Sequence, residues 1–380
     1  MRIRKIKAEI VKDSKGDNTI GVIVNRKFKG SAPLGVSLGR DEVMAFPENG
    51  VPIGIVNRVL HRGLHGLKVQ DFKDLEEVEK ILFDYDKSVE LSKLGGNAII
   101  ALEYALLRGI SNNNVWSFLN SNADELPTPI GCCIGGGKHA KEGGDFQEIL
   151  LIPQGESFND NSIVNKYVHK RIREELRPIR KSYTGGWETL LDNLSILDLL
   201  RNLTDEVFDK FGIFVGLGVD VAGSHMFSGG EYFYRKGRLT RENHIKYING
   251  LISKYNLEYV EDPLDESDAE GFGMIKGDLI CGDDLICSNL GKLMNVIGKI
   301  NCVCVKPNQV GSLINVKKLV DYAKQNRVTI VMSHRAGETV DTMISDLSVA
   351  WNCDFIKSGI VGIEHAIKIN RLKQIEKEIR

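Results

Sequence analysis

Four segments of one stretch share a pattern: Tyr259-Val-Glu261-Asp262-Pro263, Ile280-Cys-Gly-Asp283-Asp284-Leu285, Val303-Cys-Val-Lys306-Pro-Asn308-Gln309 and Ile330-Val-Met-Ser333-His334-Arg335-Ala-Gly-Glu338. Each is a short apolar run followed at once by charged or polar residues. Short apolar runs bounded by turn signals suit strands buried on both faces of a parallel sheet. The charges then fall at the C-terminal ends of those strands. In a (β/α) barrel those ends and the loops after them build the active site. The spacing of roughly 20–30 residues between successive charges is what a strand–helix repeat requires.

Working outward, the alternation extends from about Pro127 to the C-terminus. Strands are expected at 147–153, 213–221, 257–261, 279–282, 301–306, 328–333 and 353–357, with Pro127–Cys133 as an eighth. Alternating strands and helices predict a parallel sheet with crossover helices. The stretches Asn159–Ser162 and Ser182–Trp187 read as loops, and 362–379 as an amphipathic surface helix. Before Pro127 the order is different. Strands at 2–11, 18–29 and 30–35 come first, and helices at 52–63, 74–86 and 97–109 follow, which makes an α+β segment. The expected division is 1–125 and 126–380.

Composition narrows the function classes. The 380 residues carry a formal net charge of -1, without the basic excess of a nucleic-acid or membrane binder. No apolar run approaches the roughly 20 residues that span a bilayer. The N-terminus MRIRKIKAEIVKD has no apolar signal core, so a cytoplasmic protein is expected. The seven cysteines form no CxxC pair and read as buried, reduced thiols.

Asp220, Glu261 and Asp283 each end an apolar run. Carboxylates converging on one rim are hard oxygen ligands of the kind that hold Mg²⁺ while leaving positions for water and substrate. Without a cation such a cluster would repel itself. Lys306 and Lys357 close two further runs, and a lysine beside divalent cations can have its pKa lowered and act as a base. His334-Arg335 could bind an anion, Arg through paired hydrogen bonds. A glycine-rich loop with His139 precedes Gln147-Glu148.

These motifs together resemble the enolase family over nearly the whole chain. The matching stretches are Asp13-Ser-Lys-Gly16, Ser37 in its glycine loop, Leu94-Gly-Gly-Asn97-Ala98, Leu126-Pro-Thr-Pro129, Gly136-Gly-Lys-His139-Ala140, Gln147-Glu148, Glu261-Asp-Pro263, Gly282-Asp283-Asp284, Lys306-Pro-Asn-Gln309, Ser333-His334-Arg335-Ala-Gly-Glu338 and Lys357-Ser-Gly359. The resemblance implies an α/β protein: a C-terminal modified (β/α)8 TIM-like barrel capped by an N-terminal α+β domain. It implies a Mg²⁺-dependent lyase that dehydrates 2-phosphoglycerate to phosphoenolpyruvate, the glycolytic step, in a homodimer or larger homo-oligomer. Asp220, Glu261 and Asp283 would bind one Mg²⁺, and Ser37 would contribute to a second that arrives with substrate. Lys306 would remove the proton beside the carboxylate, and Lys357 would steady the enediolate. His139, Gln147 and Glu148 would line the leaving-group side, while His334 and Arg335 hold the substrate, Arg335 at its phosphate. Enolase-superfamily sites are themselves the known example of a Lys or His base working with one or two Mg²⁺ ions.

The chain departs from the family at the leaving group and the phosphate. Thr184 stands where a glutamate general acid is usual, with Glu188 nearby as the possible substitute. Ala336 replaces a serine, and Leu34 and Leu38 replace small hydroxyl residues. Two alternatives to dehydration therefore stay open: abstraction of an α-proton from another carboxylate, and a non-catalytic paralogue with a binding role.

Overall fold

The computed structural model describes residues 1–141, 143–178 and 180–379. Strands β1 (Ile6–Lys12), β2 (Asn18–Val24) and β3 (Phe28–Ser31) form an antiparallel sheet in that order. The helix Gly96–Ile110 lies against β2 and β3 at close range. A Cβ on Gly30 would come within 2.3 Å of the Ala101 carbonyl, so only glycine allows this approach. Helices also occupy Leu75–Asp86 and, with a π-helical turn at Val56–Leu60, Ile53–Leu64.

Eight strands then close into a barrel: β4 (Thr128–Gly135), β5 (Glu148–Pro153), β6 (Val215–Asp220), β7 (Leu257–Glu261), β8 (Leu279–Gly282), β9 (Cys302–Val305), β10 (Thr329–Ser333) and β11 (Phe355–Lys357), with β11 pairing back onto β4. The protein is thus α/β, with a TIM-type barrel. The expected all-parallel sheet is corrected in one place, because β5 runs antiparallel to both β4 and β6. Among its described residues, the connection from β4 to β5 holds a single 3₁₀ turn at Gly137–His139 and no crossover helix, and the chain returns as a hairpin.

The barrel interior is a small apolar cluster that includes Ile130, Cys132, Leu150, Ile152, Tyr259, Cys281, Cys302, Cys304 and Val331. Along β9 the cysteines face inward, while Val303 and Val305 join the larger core beneath the helices. All seven cysteines are free and buried.

Two further expectations change. Asn159–Ser162 is not a loop but the first turn of the helix Phe158–Leu176. Ser157 caps it by accepting from Asp160 N, and Glu376 accepts from the amides of Phe158 and Asn159. Polar residues near a helix start thus mimic a loop. The C-terminal helix Ile363–Ile379 is more than a surface element. Its Lys368 is buried, pairs with Glu338 at 2.7 Å and donates to the Thr339 carbonyl.

The N-terminal domain sits on the rim that carries the strand-end charges. Leu34 and Gly337 exchange two backbone hydrogen bonds of 2.7 and 2.8 Å, and Arg108 makes a fork onto Asp341. No helix among the described residues is long and apolar enough to cross a membrane.

Candidate active site

Strand register assembles the centre. Glu148, the first residue of β5, pairs with Asp220, the last of β6, and Asp220 pairs with Glu261, the last of β7. The reversed strand therefore delivers its beginning to the rim where its neighbours deliver their ends. The Lys357 amine, from the end of β11, joins all three carboxylates: 2.8 Å to Glu261 Oε2, 2.9 Å to Glu148 Oε2 and 3.1 Å to Asp220 Oδ2. Lys306 forms an ion pair with Asp283. Both lysines are largely withdrawn from water.

Electrostatics follow from burial and these pairs. Burial, then the charge of Asp220, raises Glu261 to about 8, with Lys357 opposing. Burial works against charge on Glu148, yet Lys357 and then His139 hold it well below the usual carboxylate range. Burial likewise opposes ionisation of Asp283, and Lys306 overrides it and keeps the pKa low. The same pair raises the pKa of Lys306 despite its burial. Asp284 rises to about 7 through burial and Asp283, and burial and Asp284 raise Asp262 well above the usual carboxylate range, its carboxylate accepting from the amides of Asp283 and Asp284.

The donor set fits a divalent cation. Ligand atoms of Glu261, Asp283 and Cys304 lie within 4.8 Å of one another, as do those of Asp262, Asp283 and Asp284. Asp220 reaches the centre through Lys357. Glu261 Oε2 accepts from the Tyr259 hydroxyl at 2.6 Å and from Lys357, while its buried Oε1 has no partner. A buried carboxylate oxygen left alone is costly unless something positive meets it.

The remaining expected residues surround this point. Ser37 Oγ is 3.4 Å from His139 Nε2, and His139 Nδ1 faces Glu148 Oε1 at 3.3 Å. Gln147 donates to Asp220 Oδ2 at 3.3 Å. His334 packs edge-on against His365, and burial and His365 hold its pKa well below the usual imidazole range. Arg335 is fully engaged. It forks onto Glu42 at 2.8 and 3.0 Å and also donates to Asn308 and the Ser37 carbonyl.

Thr184 is buried with its hydroxyl against Cys132 Sγ and Ser182 Oγ. Glu188 does not stand in for it at the centre. Its carboxylate accepts from the Lys141 amide, pairs with Arg180 at 3.5 Å, and lines a separate cleft with Leu176 and Thr189.

Sequence reading missed Glu42, Tyr259 and His225. A glutamate five residues after Ser37 resembles any solvated acid. Tyr259 shares a strand face with Glu261, and period-two spacing could have found it. His225 lines a cleft of about 460 Å³ with Lys138, Lys141, Gln147 and Arg235; its Nδ1 is buried without a partner, and burial lowers its pKa to about 4.

A closed barrel with one reversed strand, whose rim gathers buried acids around two lysines, defines a class of barrel enzymes built to hold cations and charged carbon acids. The comparisons agree in detail. A family model described as "Enolase, C-terminal TIM barrel domain" matches residues 123–380, and one described as "Enolase, N-terminal domain" matches 3–118. Curated proteins named Enolase are similar throughout: 36% identical in Methanothermobacter thermautotrophicus (all of this chain, 96% of that one), 35% in Methanocorpusculum labreanum (98% of each) and 33% in Halobacterium salinarum (99% of each). The chain belongs to the enolase family of lyases.

Proposed function

We propose that this protein dehydrates 2-phosphoglycerate to phosphoenolpyruvate with Mg²⁺. The observation that carries the reading is the convergence of Lys306 and Lys357 with Asp220, Glu148, Glu261 and Asp283 on one buried point at the rim. Asp220, Glu261 and Asp283 would hold one Mg²⁺ and Ser37 would contribute to a second. When bound, the cations would neutralise these carboxylates, loosen the Asp283 hold on Lys306 and draw charge from the substrate carboxylate.

The chain's own groups do the rest. The Lys306 amine takes the proton beside the substrate carboxylate. Lys357, fixed by three acids, offers a permanent positive charge to the resulting dianion. His139 and Glu148, joined through Nδ1, face the leaving hydroxyl with Gln147 beside them. His334 and Arg335 hold the substrate, Arg335 at its phosphate. With Thr184 in place of a carboxylic acid, proton delivery to that hydroxyl is the weak step, and a missing general acid typically costs about 10²–10⁴ in rate. The ligand is a small phosphorylated carboxylate, the assembly a homodimer or larger homo-oligomer, the compartment the cytoplasm, and the domain division near residue 125.

A Mg²⁺-dependent absorbance assay for phosphoenolpyruvate tests the reading, with Lys306→Ala as the control that abolishes turnover. A second reading is favoured by the burial of Thr184 and the engagement of Arg335: proton abstraction from another carboxylate without dehydration. Deuterium exchange from solvent at the carbon beside the carboxylate of another acid, lost in Lys306→Ala and with no phosphoenolpyruvate formed from 2-phosphoglycerate, would establish that one instead.

A further inference from the structure

We propose that Cys304 gives the carboxylate centre a soft third ligand, so that the site of Glu261, Asp283 and Cys304 takes up a thiophilic divalent cation such as Zn²⁺ or Cd²⁺. The site shares two carboxylates with the Mg²⁺ reading but rests on its own geometry.

Cys304 is two residues before Lys306 on β9, and its side chain faces the barrel interior one layer beneath the rim. It is fully buried. Its sulfur and one oxygen from each of Glu261 and Asp283 already lie within 4.8 Å of one another. Around a tetrahedral Zn²⁺ such atoms would stand roughly 3.5 Å apart, so a modest inward movement completes the shell. A second observation points to the same place. Tyr259 and Lys357 both occupy Glu261 Oε2, and the buried Oε1 has no partner.

Donor softness decides which ion gains. Mg²⁺ prefers oxygen and makes little use of a sulfur. Zn²⁺ and Cd²⁺ bind thiolate strongly, and Zn²⁺ stands high in the affinity order for mixed sites. Two carboxylates and one thiolate leave a fourth position open for water or substrate, which is the pattern of an accessible rather than a closed zinc site. On binding, the ion replaces the thiol proton, which leaves to solvent. Cys281 and Cys302 lie in the same interior cluster; among the described residues, Cys304 is the cysteine grouped with these acids.

The test titrates the reduced, full-length protein with Cd²⁺ and follows the ultraviolet sulfur-to-cadmium charge-transfer band. One equivalent should give the band in the wild type, and Cys304→Val and Cys304→Ser should both lose it. Zn²⁺ affinity in Cys304→Val should fall by at least about tenfold. A band that persists in both variants, or is absent from the wild type, overturns the proposal. Should neither variant fold, anomalous diffraction from wild-type crystals grown with Cd²⁺ decides: a peak within bonding reach of Cys304 Sγ upholds it, and a peak elsewhere or none overturns it. If the wild-type band forms and excess Mg²⁺ fails to displace it, the soft site stands and the shared Mg²⁺ site is the reading that fails.

Discussion

Arg335 is clasped by Glu42 through two hydrogen bonds of 2.8 and 3.0 Å, and both side chains are buried. Glu42 also accepts from the Gly39 amide and from Gln309, so the clasp ties the loop of Ser37 to the barrel. Removing one member of a buried pair typically costs about 3–5 kcal/mol. Glu42→Gln should destabilise the protein at the lower end of that range. The released guanidinium should then respond to inorganic phosphate. Thermal denaturation with and without phosphate is expected to give a larger upward shift for the variant than for the wild type.

Glu188 is expected to be dispensable for turnover. Its carboxylate is committed to the Lys141 amide and Arg180. Glu188→Gln should alter phosphoenolpyruvate formation by less than about tenfold, whereas a true general acid would cost about 10²–10⁴. Steady-state kcat at saturating Mg²⁺ checks this.

Lys357 neutralises three acids at once, and Lys357→Met would leave Asp220, Glu148 and Glu261 facing one another. Loss of such a partner should cost several kcal/mol, about 3–5 by comparison with other broken buried pairs. Mg²⁺ should recover more stability in this variant than in the wild type, because it supplies the missing positive charge to the native state alone. Differential scanning calorimetry with and without Mg²⁺ measures both effects.

A pH dependence is built in away from the centre. His244 is fully buried, stacked on Tyr232 with ring centroids 3.7 Å apart. Its Nε2–H donates to the Pro263 carbonyl at 2.7 Å, and the Tyr234 hydroxyl donates to Nδ1 at 2.9 Å. Burial lowers its pKa from 6.5 to about 4. Between those values the unfolded chain takes a proton that the folded chain refuses, so stability falls as pH falls. The full contribution is about 3 kcal/mol, present above pH 6.5 and lost toward pH 4. Urea unfolding at pH 7 and pH 5 should show the gap between wild type and His244→Gln narrowing at the lower pH.

Much of this was legible before any coordinates. The acids and lysines at strand ends could be read because a parallel barrel converts a repeat along the chain into a ring of side chains. What stayed hidden depends on direction and on partners. The reversal of β5 goes with a connection whose described residues hold a 3₁₀ turn and no crossover helix, which the spacing of the two apolar runs does not reveal. Glu42 and Arg335 are far apart in the chain and carry no local pattern that links them. The raised pKa of Lys306 depends on Asp283 beside it, which no reading of β9 alone contains.

The turned-back strand has a consequence for how this barrel can be altered. In a barrel of repeated units each rim loop can be exchanged with little effect on the others. Here the single connection between β4 and β5 brings His139, Gln147 and Glu148 together. Lengthening or transplanting it would move three groups in concert, which makes that segment one inseparable module for anyone grafting new chemistry onto the scaffold.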